Sequence, residues 1–347
     1  MGLTNRPVFC RLLRGLLLIL LVALPLEMEA AELRFVTVND FHGAIKPRED
    51  DRGGLSRIAS VVKSARESSA AEGVPFMALN LGDNVVFEED ARTYRLFGGE
   101  PEFYGMTLAG IDLAIPGNHD FALGTDFFAD ALEHAGFDLL CTNFLEERSD
   151  RLAERFLPYK VVDFDGLRVG FFGLLIAAYD SRDYASDNYM TIAREVVRLL
   201  REEERCTVVI ALSHLGYLWD RELAGAVDGI DVICGGHTHL ALKRPAVVNG
   251  TAIVHGGAYG QQVGELSLFV DDAGEVVSLD WELRAMDGTV PDDEEVLAFL
   301  EPFWDAYPGK EDSPASAGGG GCSMTFAPAL IIVPLLLLQG RSGLGRR

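Results

Sequence analysis

The sequence predicts an α/β protein in which helices cover a central sheet system, and three observations carry that prediction. Short apolar runs of strand length alternate with segments of helical period from residue 33 to residue 283. Most of the strand-like runs stop in turns rich in glycine and short polar residues. The last two runs, 264–271 and 275–283, are joined through "DAGE", a hairpin signal.

Each element has its own reason. "LRFVTV" (33–38) is β-branched and aromatic and reads as a strand, whereas "GGLSRIASVVKSARE" (53–67) carries its apolar residues at helical spacing. A strand is expected at 75–81, a helix at 101–110, a strand at 112–116, a helix at 125–136 and a strand at 137–143. Strands follow at 167–175, 206–213 and 231–234, alternating with helices at 189–204 and 220–227. A further strand at 251–257 precedes the hairpin, and no internal repeat is present. This alternation places helices on the outside of sheets.

The chain has 347 residues, 48% of them hydrophobic, enough for a sizeable core. It carries 30 Lys and Arg against 53 Asp and Glu, a net charge of −23. A surface this acidic repels duplex phosphate, so nucleic acid is not an expected partner. A small anionic substrate needs local positive charge, which bound metal supplies.

The two ends differ from the middle. Residues 1–30 read as an export signal: Arg11 and Arg14 precede "GLLLILLVALPL", and Ala30 or Ala31 offers a cleavage residue. Left uncleaved, the segment would be a membrane anchor. A catalytic domain is expected over 31–288, a helix over 289–310 and a Gly-rich linker over 311–321. Residues 322–347 hold Cys322, an apolar run broken by Pro328 and Pro334, and a basic end. This layout resembles the tripartite C-terminal sorting signals of bacterial surface proteins, with a glycolipid-anchor signal as the alternative. The expectation is an exported protein at the bacterial cell surface, in the periplasm or outside the cell, associated with membrane through this tail or processed there. Of the five cysteines, Cys141, Cys206 and Cys234 lie in or beside strand-like runs, so buried free thiols are expected rather than a disulfide framework.

The chemistry gathers where strands end. "VTV" runs into "NDFHG" with Asp40 and His42, "ALNL" into "GDN" with Asp83, and "LAIP" into "GNHD" with Asn118, His119 and Asp120. "VIALS" runs into His214, and "DVIC" into "GGHTH" with His237 and His239. In α/β sheets ligands collect at the carboxyl ends of strands, and glycines let short side chains converge there. Five such exits in order predict a metal site. Two other histidines fall outside this set: His134 reads as a helix end, and His255 as a strand end with loop chemistry.

In this order the motifs "NDFHG … LGDN … GNHD … SHLG … GGHTH" resemble those of the calcineurin-like metallophosphoesterases. The flanking "GGLSRIA", "IPGNHDF", "GIDVICGGHTHL" and "GAYGQQVGEL" are similar to the secreted 5'-nucleotidase and UDP-sugar hydrolase branch. The resemblance covers about residues 33–285. It implies a four-layer α-β-β-α sandwich and two divalent ions, for which Mn, Zn, Fe and Co all suit the donors. It implies that Asp40, His42, Asp83 and His239 hold one ion, and that Asp83, Asn118, His214 and His237 hold the other. His119 would face the phosphate and leaving group, with Asn118 also contacting substrate and Asp120 orienting the His119 ring. The implied reaction is hydrolysis of phosphate monoesters, nucleotides among them, by attack of a metal-bridging hydroxide. The alternatives are a phosphodiesterase acting on cyclic nucleotides or nucleotide-diphosphate sugars, and a metal-containing surface binding protein without turnover. Nucleotidases of this branch carry a second domain that holds the base. None is read in this sequence, so weak discrimination among nucleosides is expected. The helix at 289–310, with Phe299, Phe303, Trp304 and Tyr307, is expected either to pack on the domain or to fold over the site as a wall.

Overall fold

The structure, a computed structural model, describes residues 30–85 and 91–306. The export-signal and tail segments, and Tyr307, lie outside the described residues. The chain runs β1 (Ala31–Val38), α1 (Leu55–Glu72), β2 (Phe76–Asn80), α2 (Ala91–Phe97), α3 (Glu100–Ala109) and β3 (Leu113–Ala114). It continues through α4 (Thr125–Ala131), β4 (Asp138–Leu140), α5 (Asp150–Arg155), β5 (Phe156–Leu157), β6 (Tyr159–Phe164) and β7 (Leu167–Leu175). Then come α6 (Tyr189–Arg198), β8 (Val208–His214), α7 (Tyr217–Ala226), β9 (Val232–Gly235), β10 (Ala246–Val248) and β11 (Thr251–His255). β12 (Gln262–Val270), β13 (Val276–Ala285) and α8 (Glu294–Leu300) complete it.

Two mixed sheets result. One has seven strands in the order β13-β12-β1-β2-β3-β4-β5, the other six in the order β10-β11-β9-β8-β7-β6. Strands β1 to β5 are parallel, as are β7, β8, β9 and β11, while the hairpin strands β12 and β13 add antiparallel pairs.

The period-two alternation of the strands explains the layering. On β8, Val208, Ile210 and Leu212 face the other sheet, whereas Val209 and Ala211 join the helices. On β1, Leu33 and Phe35 point between the sheets and Val36 and Val38 point to the helices. A strand buried on both faces must be apolar throughout, which is how these runs read. Phe35 meets Phe171 across the sheet–sheet core, ring centroids 6.2 Å apart. Outside the seven-stranded sheet, α1 and α3 supply Ile58, Val62, Phe103 and Met106. Outside the six-stranded sheet, α6 and α7 supply Ala193, Val197, Leu223 and Ala224. Three cores between four layers make the α-β-β-α sandwich, and each large side chain fully buried there contributes about 1.5–3 kcal/mol.

Several elements differ from the sequence expectation. The 189–204 helix is regular only to Arg198, after which Leu199–Glu203 forms a wider π-helical turn. From that turn the Arg201 guanidinium donates to Gly229 O and to Asp231 Oδ2 at 2.6 Å, stapling the helix to the start of β9. β6 is an edge strand with only partial burial, so its apolar signal is weak. α5 is short and is capped by Ser149, whose side chain accepts from Leu152 N. In the 289–310 region, α8 starts at Glu294, capped by Asp293, and passes into a 3-10 turn over Glu301–Ala306. It docks on the helical layer: Asp293 N donates to Ser56 O at 3.0 Å, Phe299 meets Tyr104 and Phe303 meets Phe97. The aromatic residues Phe299, Phe303 and Trp304 pack against that core. Cys141, Cys206 and Cys234 are buried free thiols.

Candidate metal centre

The five strand exits singled out in the sequence meet at one end of the sandwich. β1 leads to Asp40 and His42, β2 to Asp83, and β3 to a 3-10 turn over Asn118–Phe121. β8 ends on His214, and β9 leads to His237 and His239. To bring short side chains together the backbone turns sharply. Asp40, His42, Asp83, His237 and His239 all adopt left-handed φ, between 42° and 69°. That conformation costs a non-glycine residue roughly 1–2 kcal/mol. Strain of this kind persists where surrounding structure enforces it, and it clusters at functional sites.

The enforcing contacts are visible. A Cβ on Gly117 would lie 2.1 Å from Asp83 Oδ1, so only glycine lets the Asn118 turn approach Asp83. A Cβ on Gly236 would lie 2.9 Å from Leu81 O and 3.2 Å from both Asp40 Oδ2 and His214 Nδ1. His42 N donates to Asp83 O at 2.8 Å, and His237 N donates to Asp40 Oδ1 at 2.8 Å. His119 N donates to Asp83 Oδ1 at 2.9 Å. Asn39 Nδ2, not singled out in the sequence, donates to Gly235 O at 2.6 Å and ties the β1 exit to β9.

Two groups of side chains could each hold a metal ion. Asp40, His42, Asp83 and His239 form one, and Asp83, His214 and His237 the other; within each group the ligand atoms lie within 4.8 Å of one another. Asp83 belongs to both. Its Oδ2 is 3.1 Å from His214 Nε2, 3.7 Å from His42 Nε2 and 3.8 Å from His119 Nε2. His239 Nε2 lies 3.0 Å from His42 Nε2 and 3.6 Å from Asp40 Oδ1. Asn118 is buried on the turn beside Asp83.

Burial and the Asp83 charge set the protonation of these groups apart. His214 Nδ1 lies 2.7 Å from Leu81 O, so this nitrogen carries the proton it donates and Nε2 faces Asp83. Burial pushes His42 and His237 down to about 3, which keeps them in the neutral, ligating form. Burial opposes charge on His214, but the Asp83 carboxylate outweighs it and carries His214 up to about 10. Burial raises Asp40 well above the usual carboxylate range. Burial acts on Asp83 in the same sense, yet the His214 charge and hydrogen bond hold it well below that range.

Asp40 Oδ2, His42 Nδ1, Asn118 Oδ1 and His237 Nδ1 are buried with no hydrogen-bond partner. Buried polar atoms are normally satisfied, so such a concentration marks a place built for something else. Carboxylate, imidazole and amide donors together fit first-row divalent ions.

Asp120 is fully buried, and burial followed by the Asp83 charge pushes it up to about 7. Its hydrogen bonds run to Gly117 N at 2.8 Å, Asn84 N at 2.8 Å and Asn84 Nδ2 at 3.2 Å. Asp120 therefore acts on the loop that carries His119, joining it to the Asp83 loop. Asn84 closes the "LGDN" motif, but no role is read for it from the motif alone.

His255 does not behave as a loop residue. It ends β11 fully buried, with Nε2 2.7 Å from Asp220 Oδ2, and Ser213 Oγ donates to Asp220 Oδ1 at 2.5 Å. This group braces β8, β11 and α7 directly behind His214. His134, expected at a helix end, closes the short 3-10 turn Leu132–His134, away from the centre. Two tyrosines also went unread. The Tyr259 ring lies 5.1 Å from both the His42 and His239 rings, and the Tyr179 ring 5.8 Å from His237.

Layers, strand exits and donor set define the class: a metallophosphoesterase fold. Residues 33–241, more than half of the chain, match the calcineurin-like phosphoesterase family, and the chain belongs to that metal-dependent family. Among relatives, 5'-nucleotidase of Rattus norvegicus is 26% identical over 86% of this chain and 57% of its own length. Protein UshA of Yersinia enterocolitica is 27% identical over 67% of this chain and 48% of its own length. The chain thus spans about half the length of the curated relatives it matches. Among solved structures, a 5'-nucleotidase precursor from Thermus thermophilus superposes with a TM-score of 0.68 at 27% identity, covering 79% of this chain and 59% of that one. The calcineurin-like phosphoesterase YfkN from Bacillus subtilis, at 19% identity and a TM-score of 0.66, shares the fold over 80% of this chain and 97% of its own.

Proposed function

We propose that this chain hydrolyses phosphate monoesters, 5'-nucleotides among them, with two divalent ions. The observation that carries the reading is the convergence on Asp83 of two ligand groups with buried, unpartnered donor atoms. Asp40, His42, Asp83 and His239 would hold one ion, and Asp83, Asn118, His214 and His237 the other, with Mn, Zn, Fe or Co all suited to the donors. When bound, such a pair supplies Lewis acidity at the phosphoryl oxygens and lowers the pKa of water to make a nucleophile. His119 holds a proton at the edge of this group and delivers it to the leaving-group oxygen. Asp120 fixes His119 in place through Gly117 and Asn84. Asn118 keeps its amide at the phosphate side of the same turn.

Export is part of the reading, supported by the Arg-apolar-Ala pattern of residues 1–30 and the Cys-apolar-Arg pattern of residues 322–347. Among the described residues no helix is long and apolar enough to cross a membrane. The test is hydrolysis of mono- and bis-p-nitrophenyl phosphate by the Mn-loaded protein. Preference for the monoester supports the proposal, and preference for the diester makes the protein a phosphodiesterase. No turnover of either leaves a metal-containing binding protein.

A further inference from the structure

The 5'-nucleotidase-like reading leaves open what grips the organic part of the substrate. One strand exit at the site end contributes no metal-type residue. β7 runs into 176–181, and at its tip stands Tyr179 with φ 53° and 44% of its surface exposed. A bulky residue at such a φ is a genuine outlier. The loop is nevertheless tightly held. Ser181 is buried, its Oγ 2.5 Å from Ile176 O and 2.8 Å from Ala178 O, and Ile176 N donates to His214 O. The 3-10 turn Tyr179–Ser181 packs against the turn that carries Asn118 and His119, and Tyr184 just beyond it stacks on Phe121 at 5.1 Å. The fold thus holds an exposed aromatic ring in a strained conformation, between His237 and the His119 turn.

The position is selective. Tyr259, the other tyrosine at the centre, is half-buried and lies against His42 and His239. The Tyr179 ring lies beside His237, on a turn that packs against the turn of His119, the residue proposed above to protonate the leaving group. Exposed aromatic rings stack on flat rings, and the gain tolerates any base because every base has a π-face.

We propose that Tyr179 is the leaving-group platform of this enzyme, a specificity-determining contact that favours phosphomonoesters bearing a flat ring, such as nucleotides, over those without one. This rests on the phosphomonoesterase reading above. The test compares kcat/KM for AMP and ribose 5-phosphate in the metal-loaded wild type and in Tyr179→Ala, Tyr179→Phe and Tyr179→Gly. The ratio of the two should fall about tenfold in Tyr179→Ala, the upper range of aromatic stacking, and mainly through KM for AMP. Tyr179→Phe should keep the wild-type ratio. Tyr179→Gly should lose it while unfolding at the wild-type temperature or above, because glycine accepts this φ without strain. Equal loss on both substrates, or no change of ratio in Tyr179→Ala, overturns the proposal and leaves the phosphomonoesterase reading intact. A wild type that hydrolyses neither ester removes both.

Discussion

Asp83 and Asp220 are both buried aspartates with histidine partners, yet the molecule treats them in opposite ways. Asp220 sits in a regular helix, and each of its oxygens has one short hydrogen bond, to Ser213 and to His255. Asp83 sits at φ 52°, and its Oδ2 is approached by His214, His42 and His119 at 3.1–3.8 Å. Around Asp83 the neighbouring donor atoms stay buried and unpartnered. The comparison teaches that residue type does not separate a brace from a site. Backbone strain and unsatisfied ligand atoms do, because both cost stability that a purely structural cluster would not give up.

The largest difference between the two aspartates should appear on mutation. Asp83→Ala should lose bound metal and lower phosphomonoesterase activity by about 10³-fold or more, the scale of losing electrostatic stabilisation at a reacting centre. Parallel assays of metal content and rate would show whether both fall together. His119→Ala should keep its metal and lose about 10²–10⁴-fold in kcat, as expected for a general acid. Loss of metal in that variant would make His119 a ligand instead. Gly117→Ala forces a Cβ toward Asp83 Oδ1 and should cost about 10²-fold, the scale of a misplacement near 1 Å, without unfolding the protein. Asp220→Ala should destabilise the fold by about 3 kcal/mol, measured by denaturant unfolding, because it leaves buried partners unpaired. The folded fraction should retain its metal, and wild-type stability there would deny the brace. The smallest effect is expected at the thiols. Burial pushes Cys234 up to about 12 and raises Cys141 and Cys206 too, so iodoacetamide at neutral pH should leave activity unchanged and label them only after unfolding.

Much of the fold was legible because parallel strands buried on both faces carry near-continuous apolar runs, as in β7 and β8. β6, β10 and α5 were not, since half-buried edge strands and single helical turns leave weak patterns. Within the candidate centre, the histidines and aspartates showed themselves through position at strand ends and through neighbouring glycines. The roles of Tyr179, Tyr259, Asn84 and Asp220 stayed invisible for a physical reason. Their contacts join segments far apart in the chain, and no local spacing records a ring that lies beside His237 or a carboxylate that meets His255. Of the helix expected over 289–310, Glu294–Leu300 is α-helical and Glu301–Ala306 a 3-10 turn, and which of the two expected surfaces the segment covers emerged only from its bond to Ser56 and its ring contacts with Tyr104 and Phe97.

Elemental analysis of the purified, active protein beside Asp83→Ala and His119→Ala tests the central claim most directly. The account predicts two transition-metal equivalents per chain in the wild type and in His119→Ala, and their loss in Asp83→Ala. Wild-type protein that hydrolyses phosphomonoesters at full rate with no bound metal would contradict it.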